Sequence, residues 1–148
     1  MTSVVEQIDQ DLTTSMKSGD KTRTGVLRLL RSSLKNEQIK LGRELTEAEV
    51  LKLLQRESKQ RRDSITAYNE AKRPELATEE QTELDIITVY LPQSLTEDEL
   101  RAVVDEVVAG MDNPDQSATG QVIGAVMAKV GAKAEGGAVA KVVRERLS

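Results

Sequence analysis

The sequence predicts an all-α protein, a four-helix N-terminal segment followed by a three-helix tail. Three observations carry that prediction. Apolar residues recur at helical spacing through nearly the whole chain. Ser or Thr stands three residues before Glu or Gln ahead of an apolar stripe at Ser3/Glu6, Thr46/Glu49, Thr78/Gln81 and Thr96/Glu99, the reciprocal box that satisfies two orphan amides at a helix start. Tyr68 and Tyr90 are the only aromatic residues. The core must therefore be Leu, Val, Ile, Ala and Met, which suits helix packing better than a β-sandwich.

The elements follow in order. Ser3/Glu6 opens a first helix with Val5, Ile8, Leu12 and Met16 inward, closed by Gly19. Asp20 caps a second, with Val26, Leu30, Leu34 and Leu41 inward and Gly42 at its end. A third runs from about Glu47 past Tyr68 and stops before Pro74. A fourth, opened at Thr78, carries Leu84, Ile87 and Leu91 up to Pro92, which lacks an amide donor and turns its predecessor away from the helical region. Thr96 opens a fifth, with Leu100, Val103, Val104, Val107 and Met111. After the turn at Asn113-Pro114-Asp115, Val122, Ile123, Val126, Met127 and Val130 mark the sixth. Residues 131–137 break the pattern, and Val139, Val142, Val143 and Leu147 mark the last helix. Gly120 and Gly124, one turn apart, are expected to admit close helix contact. The domains expected are 1–93 and 94–148, with Val burial holding the second together, because Val is a mediocre helix former.

A chain of 148 residues buries roughly 70% of its unfolded surface and needs no staple. It has no Cys and no His, which removes disulfides, thiolate nucleophiles, the usual zinc ligands and imidazole acid–base chemistry. No metal or cofactor is expected. Residues 1–6 lack a basic leader, and no apolar run is long enough to span a membrane. A cytoplasmic protein without membrane contact is the expectation.

Charge is distributed in three blocks: +4 over residues 1–73, −11 over 74–115 and +3 over 116–148, hidden within a net −4. Nucleic acid responds to such local basic patches rather than to net charge. On the second helix Arg28, Arg31 and Lys35 fall within about 60° of one another. Lys52, Arg56 and Lys59 form a similar stripe on the third, and the two helices side by side would present six cations to a phosphate backbone. The competing reading is two ordinary solvated faces. In the tail Lys129, Lys133, Lys141, Arg144 and Arg146 cluster about the 131–137 turn, either as a basic contact surface or as solvated lysines around a helix connection. That turn is no phosphate loop of the Walker kind, since Gly137 stands where the lysine belongs and no strand precedes it.

Glu57 and Arg61 lie one turn apart on the core side of the third helix, with Glu37 on the second expected to join them. A charge there must be paired. With no nucleophile or second acid–base partner beside it, the pair reads as a structural ion pair fixing helix register rather than as a catalytic carboxylate. No catalytic residue is assigned.

Residues 26–36, Val-Leu-Arg-Leu-Leu-Arg-Ser-Ser-Leu-Lys-Asn, resemble the N-terminal signature of the YqeY family, also called GatB/YqeY-domain proteins. So do Lys59-Gln60-Arg61-Arg62-Asp63-Ser64 with Tyr68, and Tyr90-Leu91-Pro92-Gln93. Val122 to Met127 and then Gly131-Ala132-Lys133-Ala134-Glu135-Gly136-Gly137 are similar to the family's glycine turn, with Glu135 in place of the usual Asp. The resemblance implies an all-α fold whose tail is similar to the C-terminal domain of the GatB subunit of the tRNA-dependent amidotransferase. It thereby implies tRNA or another folded RNA as partner, and a tRNA-processing or amidotransferase enzyme beside it. Three readings follow: a non-catalytic RNA-binding accessory module, a protein-interaction adaptor without RNA, and an amidotransferase-like component described by family as a carbon–nitrogen ligase with glutamine as amido-N donor. The chain shows no Ser-Ser-Lys amidase constellation and no ATP-binding motif for the last. Few stacking rings and few bidentate base readers favour backbone and shape recognition in the first.

Overall fold

The computed structural model describes residues 3–148, so the first two residues of the stretch read for a leader lie outside it. Seven α-helices and two short 3₁₀ turns occur among the described residues, and no strand. The chain divides into two compact units, one running up to Leu91 and the other from Pro92 to Ser148.

The first unit contains α1 (Val4–Ser18), α2 (Lys21–Leu41), α3 (Glu47–Glu70) and α4 (Pro74–Thr88). Both capping boxes expected there at α1 and α3 are formed. Ser3 Oγ accepts from Glu6 N at 3.2 Å, and Thr46 Oγ1 from Glu49 N at 3.2 Å. Gly19 and Gly42 close α1 and α2 at φ 77° and 71°, a left-handed region costly to any residue with a Cβ. Ile8, Leu27, Leu30, Leu54 and Ile87 are the largest fully buried side chains of its core, to which every helix contributes.

Three expectations fail here. Helix α4 starts a turn before Thr78, because Pro74 is pre-set for the first helical position and needs no amide partner; Thr78 instead donates to the Pro74 carbonyl at 2.9 Å. Met16 is 52% exposed. Two successive steps of four from Ile8 rotate the stripe by about 80°, and the inward residue at that end is Ser15, whose hydroxyl meets Thr24 at 2.9 Å. Leu41, at the last turn of α2, is 40% exposed, while Leu27, outside the expected stripe, is fully buried.

The second unit packs α5 (Glu97–Ala109), α6 (Thr119–Val130) and α7 (Gly136–Leu147) around valine. Val104, Val122, Val126, Val139 and Val143 are all fully buried. Burying each is worth roughly 1.5–3 kcal/mol, several times its helix-propensity penalty. The box at Thr96/Glu99 opens α5 as expected. The turn after α6 is fixed from the unit's own start, where Leu95 N donates to the Lys133 carbonyl at 2.9 Å.

Gly120 and Gly124 do not mediate helix contact: both are exposed, and a Cβ at either would meet nothing within 4 Å. Gly124→Ala should therefore stabilise the unit by about 0.5–1 kcal/mol, the ordinary gain of Ala over Gly in an exposed helix interior. Urea melts of the two proteins measure it, and a destabilised variant would reveal a contact the fold does not contain.

Candidate functional site

The buried charges sit where α2, α3 and α4 meet. On α3, Glu57 and Arg61 face inward, their side chains only 16% and 12% exposed. The Arg61 guanidinium donates to the Glu57 carboxylate and, at 3.4 Å, to the Glu57 carbonyl. Ser33 Oγ donates to the same carboxylate at 3.4 Å, and Glu83 of α4 stands 3.9 Å from Arg61 Nε. The third carboxylate is thus Glu83, not Glu37. Glu37 lies on the outer side of α2, in a groove with Leu41, Glu49, Lys52, Leu53 and Arg56. Burial, with the neighbouring Glu83, pushes the Glu80 carboxyl up against the opposing pull of Arg61. One arginine thereby ties α3 to α4, and no group of three or more metal-ligating side chains forms among the described residues.

A second network closes the first unit. Tyr90, 8% exposed, donates its hydroxyl to Asp11 at 2.6 Å. Asp11 also accepts from Gln7 at 3.0 Å and lies 4.0 Å from Arg23. Burial first, and then the hydrogen bond to Asp11, raise the Tyr90 pKa above its ordinary 10.0. In the unfolded chain Tyr90 ionises near that ordinary value, while in the folded chain it stays neutral. This contribution to stability is therefore complete below about pH 10 and declines as pH rises above it. Tyr90→Phe, which leaves Asp11 one donor short, should cost about 1–2 kcal/mol and remove that part of the alkaline loss. Equal alkaline slopes for the two proteins would contradict this.

The two basic stripes of the first unit do not form one surface. Arg31 is held by Asp9 of α1 at 2.5 Å. Arg28 and Lys35 are exposed and make no ion pair among the described residues. Lys52 and Arg56 line the groove with Glu37 and Leu41, residues about 120–180° round α2 from Arg28 and Lys35. Lys59 is paired with Asp63 at 2.9 Å. The two helices thus turn their stripes to different sides.

The tail cluster also divides. Lys129 of α6 pairs with Glu106 at 2.8 Å, holding that carboxyl below its ordinary range, and Arg146 of α7 pairs with Asp105 at 2.9 Å. Both cations are turned toward the acidic α5. Lys133, Lys141 and Arg144 are exposed and make no ion pair among the described residues. Lys141 and Arg144 lie within about 60° of each other on α7, some 140–160° from Arg146. Lys133 stands in the 3₁₀ turn Gly131–Lys133, which leaves α6 through Gly131 at φ 54°. The side of α7 turned from α5 thus carries Lys141 and Arg144 without an ion pair, with the exposed Glu145 about 40° from Lys141, and α6 contains no carboxylate at all. Glu135 flanks α7 at its N-cap without capping it.

A family model described as Yqey-like protein matches residues 5–147. Among curated proteins the chain is similar to "Altered inheritance of mitochondria protein 41, mitochondrial" from Pyrenophora tritici-repentis, 27% identical over 133 residues that cover 88% of this chain and 73% of the relative. The protein of that name from Saccharomyces cerevisiae (strain YJM789) is 32% identical over 100 residues, 67% of this chain and 54% of the relative. The match thus spans about half of the yeast protein's length. Every one of these relatives is named as mitochondrial, which overturns the cytoplasmic expectation. The absence of Cys, which fitted a reducing cytoplasm, permits any compartment. No described helix is long and apolar enough to cross a membrane.

Proposed function

The chain belongs to the YqeY-like protein family, and from that premise we propose that it is a non-catalytic RNA-binding accessory module whose contact surface is the α6–α7 side of the tail. The observation that carries the reading is the division of the tail cations. Lys129 and Arg146 are paired with α5, whereas Lys133, Lys141 and Arg144 face solvent and make no ion pair among the described residues. Three such groups can each take a phosphate, and each contact releases condensed counterions. The two tyrosines offer no stacking platform, since Tyr90 is buried and Tyr68 half-buried on α3. Recognition therefore rests on backbone charge and shape, which suits a folded RNA such as tRNA. In this reading the module helps an enzyme hold its RNA and performs no amide transfer itself, and the relatives' names point to mitochondria as its setting. The test is a gel-shift titration of the full chain with total tRNA at two salt concentrations. Micromolar or looser binding that fades with salt is expected. A salt-insensitive complex, or none at low salt, would leave the protein-interaction adaptor as the better reading.

A further inference from the structure

The first unit carries an electrical asymmetry that the RNA reading does not use. Helix α2 has six Lys and Arg against one Glu, while α4 has five Asp and Glu and no Lys or Arg. Part of this charge is used internally, by Arg31 on Asp9, Arg23 near Asp11 and Glu83 near Arg61. Glu80 is half-buried beside Glu83 and Arg61, and Glu75 lies 4.0 Å from Arg73. Arg28 and Lys35 project from α2 with no ion pair among the described residues, and Glu79 and Asp85 are exposed on α4, Asp85 taking only the neutral Gln81 amide at 2.9 Å.

Each charged face also exposes large apolar side chains. On α2 these are Leu29 at 55% and Ile39 at 68% exposed, sharing a sector of about 120° with Arg28 and Lys35. Beside α4 it is Val89, 66% exposed, in a similar sector with Glu79 and Asp85. A partner that covers such a face must supply both counter-charge and apolar contact. A phosphate backbone would neutralise Arg28 and Lys35 but leave Leu29 and Ile39 in water. The chain itself carries a face that matches both: acidic, helical and with an apolar end.

We propose that two copies of this chain associate through their first units, α2 of each against α4 of the other. A two-fold pairing makes both contacts at once and closes on itself, so it yields a dimer rather than a filament. Because opposite charge steers and selects the contact, the association is salt-sensitive.

Sedimentation velocity on the RNA-free full chain tests this at ~20 mM salt and at ~1 M, where the screening length falls to about 3 Å. A dimer at low salt that dissociates at high salt is expected. The reversals R28E/K35E and E79K/D85K should each give monomers with unchanged helical circular dichroism. Mixing the two variants should restore a mixed dimer, since each then offers the charge the other lacks. The uncharged change L29S/I39S should weaken the dimer without altering its salt dependence. A wild type that is monomeric at low salt and high concentration, a reversed variant that still dimerises, or a mixture that stays monomeric would each overturn the proposal. None of these readouts involves RNA, so its failure is distinct from failure of the RNA reading.

Discussion

Replacing Arg61 with Ala should destabilise the first unit by about 2–4 kcal/mol, the cost of leaving a largely buried carboxylate without its cation. Glu57 would keep the 3.4 Å hydroxyl contact from Ser33, and Glu83 would lose the positive charge of Arg61. The loss is larger than the attraction alone, because the desolvation of Glu57 is already spent in the fold. Replacing both partners should be far milder: Glu57→Leu with Arg61→Met fills similar volume and strands no charge. Thermal and urea melts of the two single variants and the double variant separate the cases. At a 12–16% exposed site this ordering is specific, and a single variant melting with the wild type would show the pair to be solvated.

The second large effect is on binding. Reversing Lys133, Lys141 and Arg144 to Glu removes three phosphate contacts and installs three repulsions, so affinity for tRNA should fall by on the order of 100-fold or more. The fold should survive, because all three positions are exposed and none holds an internal ion pair. Neutralising Lys129 and Arg146 to Gln should act mainly on stability, since their charges already answer Glu106 and Asp105. Equal loss of binding from both sets would mean that the α5 pairs open to meet RNA.

What was legible in the sequence was local. A capping box is decided within four residues, so the starts of α1, α3 and α5 could be read directly, whereas the box at Thr78 was pre-empted by the proline four residues before it. The Glu57–Arg61 pair was equally local, being one turn of one helix. The outcomes of the basic stripes were not, because they depend on which face opposes which. Lys129 meets Glu106 across 23 residues and Arg146 meets Asp105 across 41. Tyr90 finds Asp11 across 79, although its own motif had already drawn attention to it. Helical periodicity states that a cation is outside the core, not whether a neighbouring helix supplies its counter-charge. That distinction separates the three free tail cations from the two tied ones, and it required the packing of α5 against α6 and α7.

The central claim is that a small set of unneutralised tail cations holds a phosphate backbone. Its most direct test is the slope of log K against log salt for tRNA binding, compared between the wild type and K133E/K141E/R144E. Three phosphate contacts predict a wild-type slope of about −2 to −3, with a slope near zero for whatever weak binding the variant retains. The same steep slope in both proteins would contradict the account and move the contact off the tail.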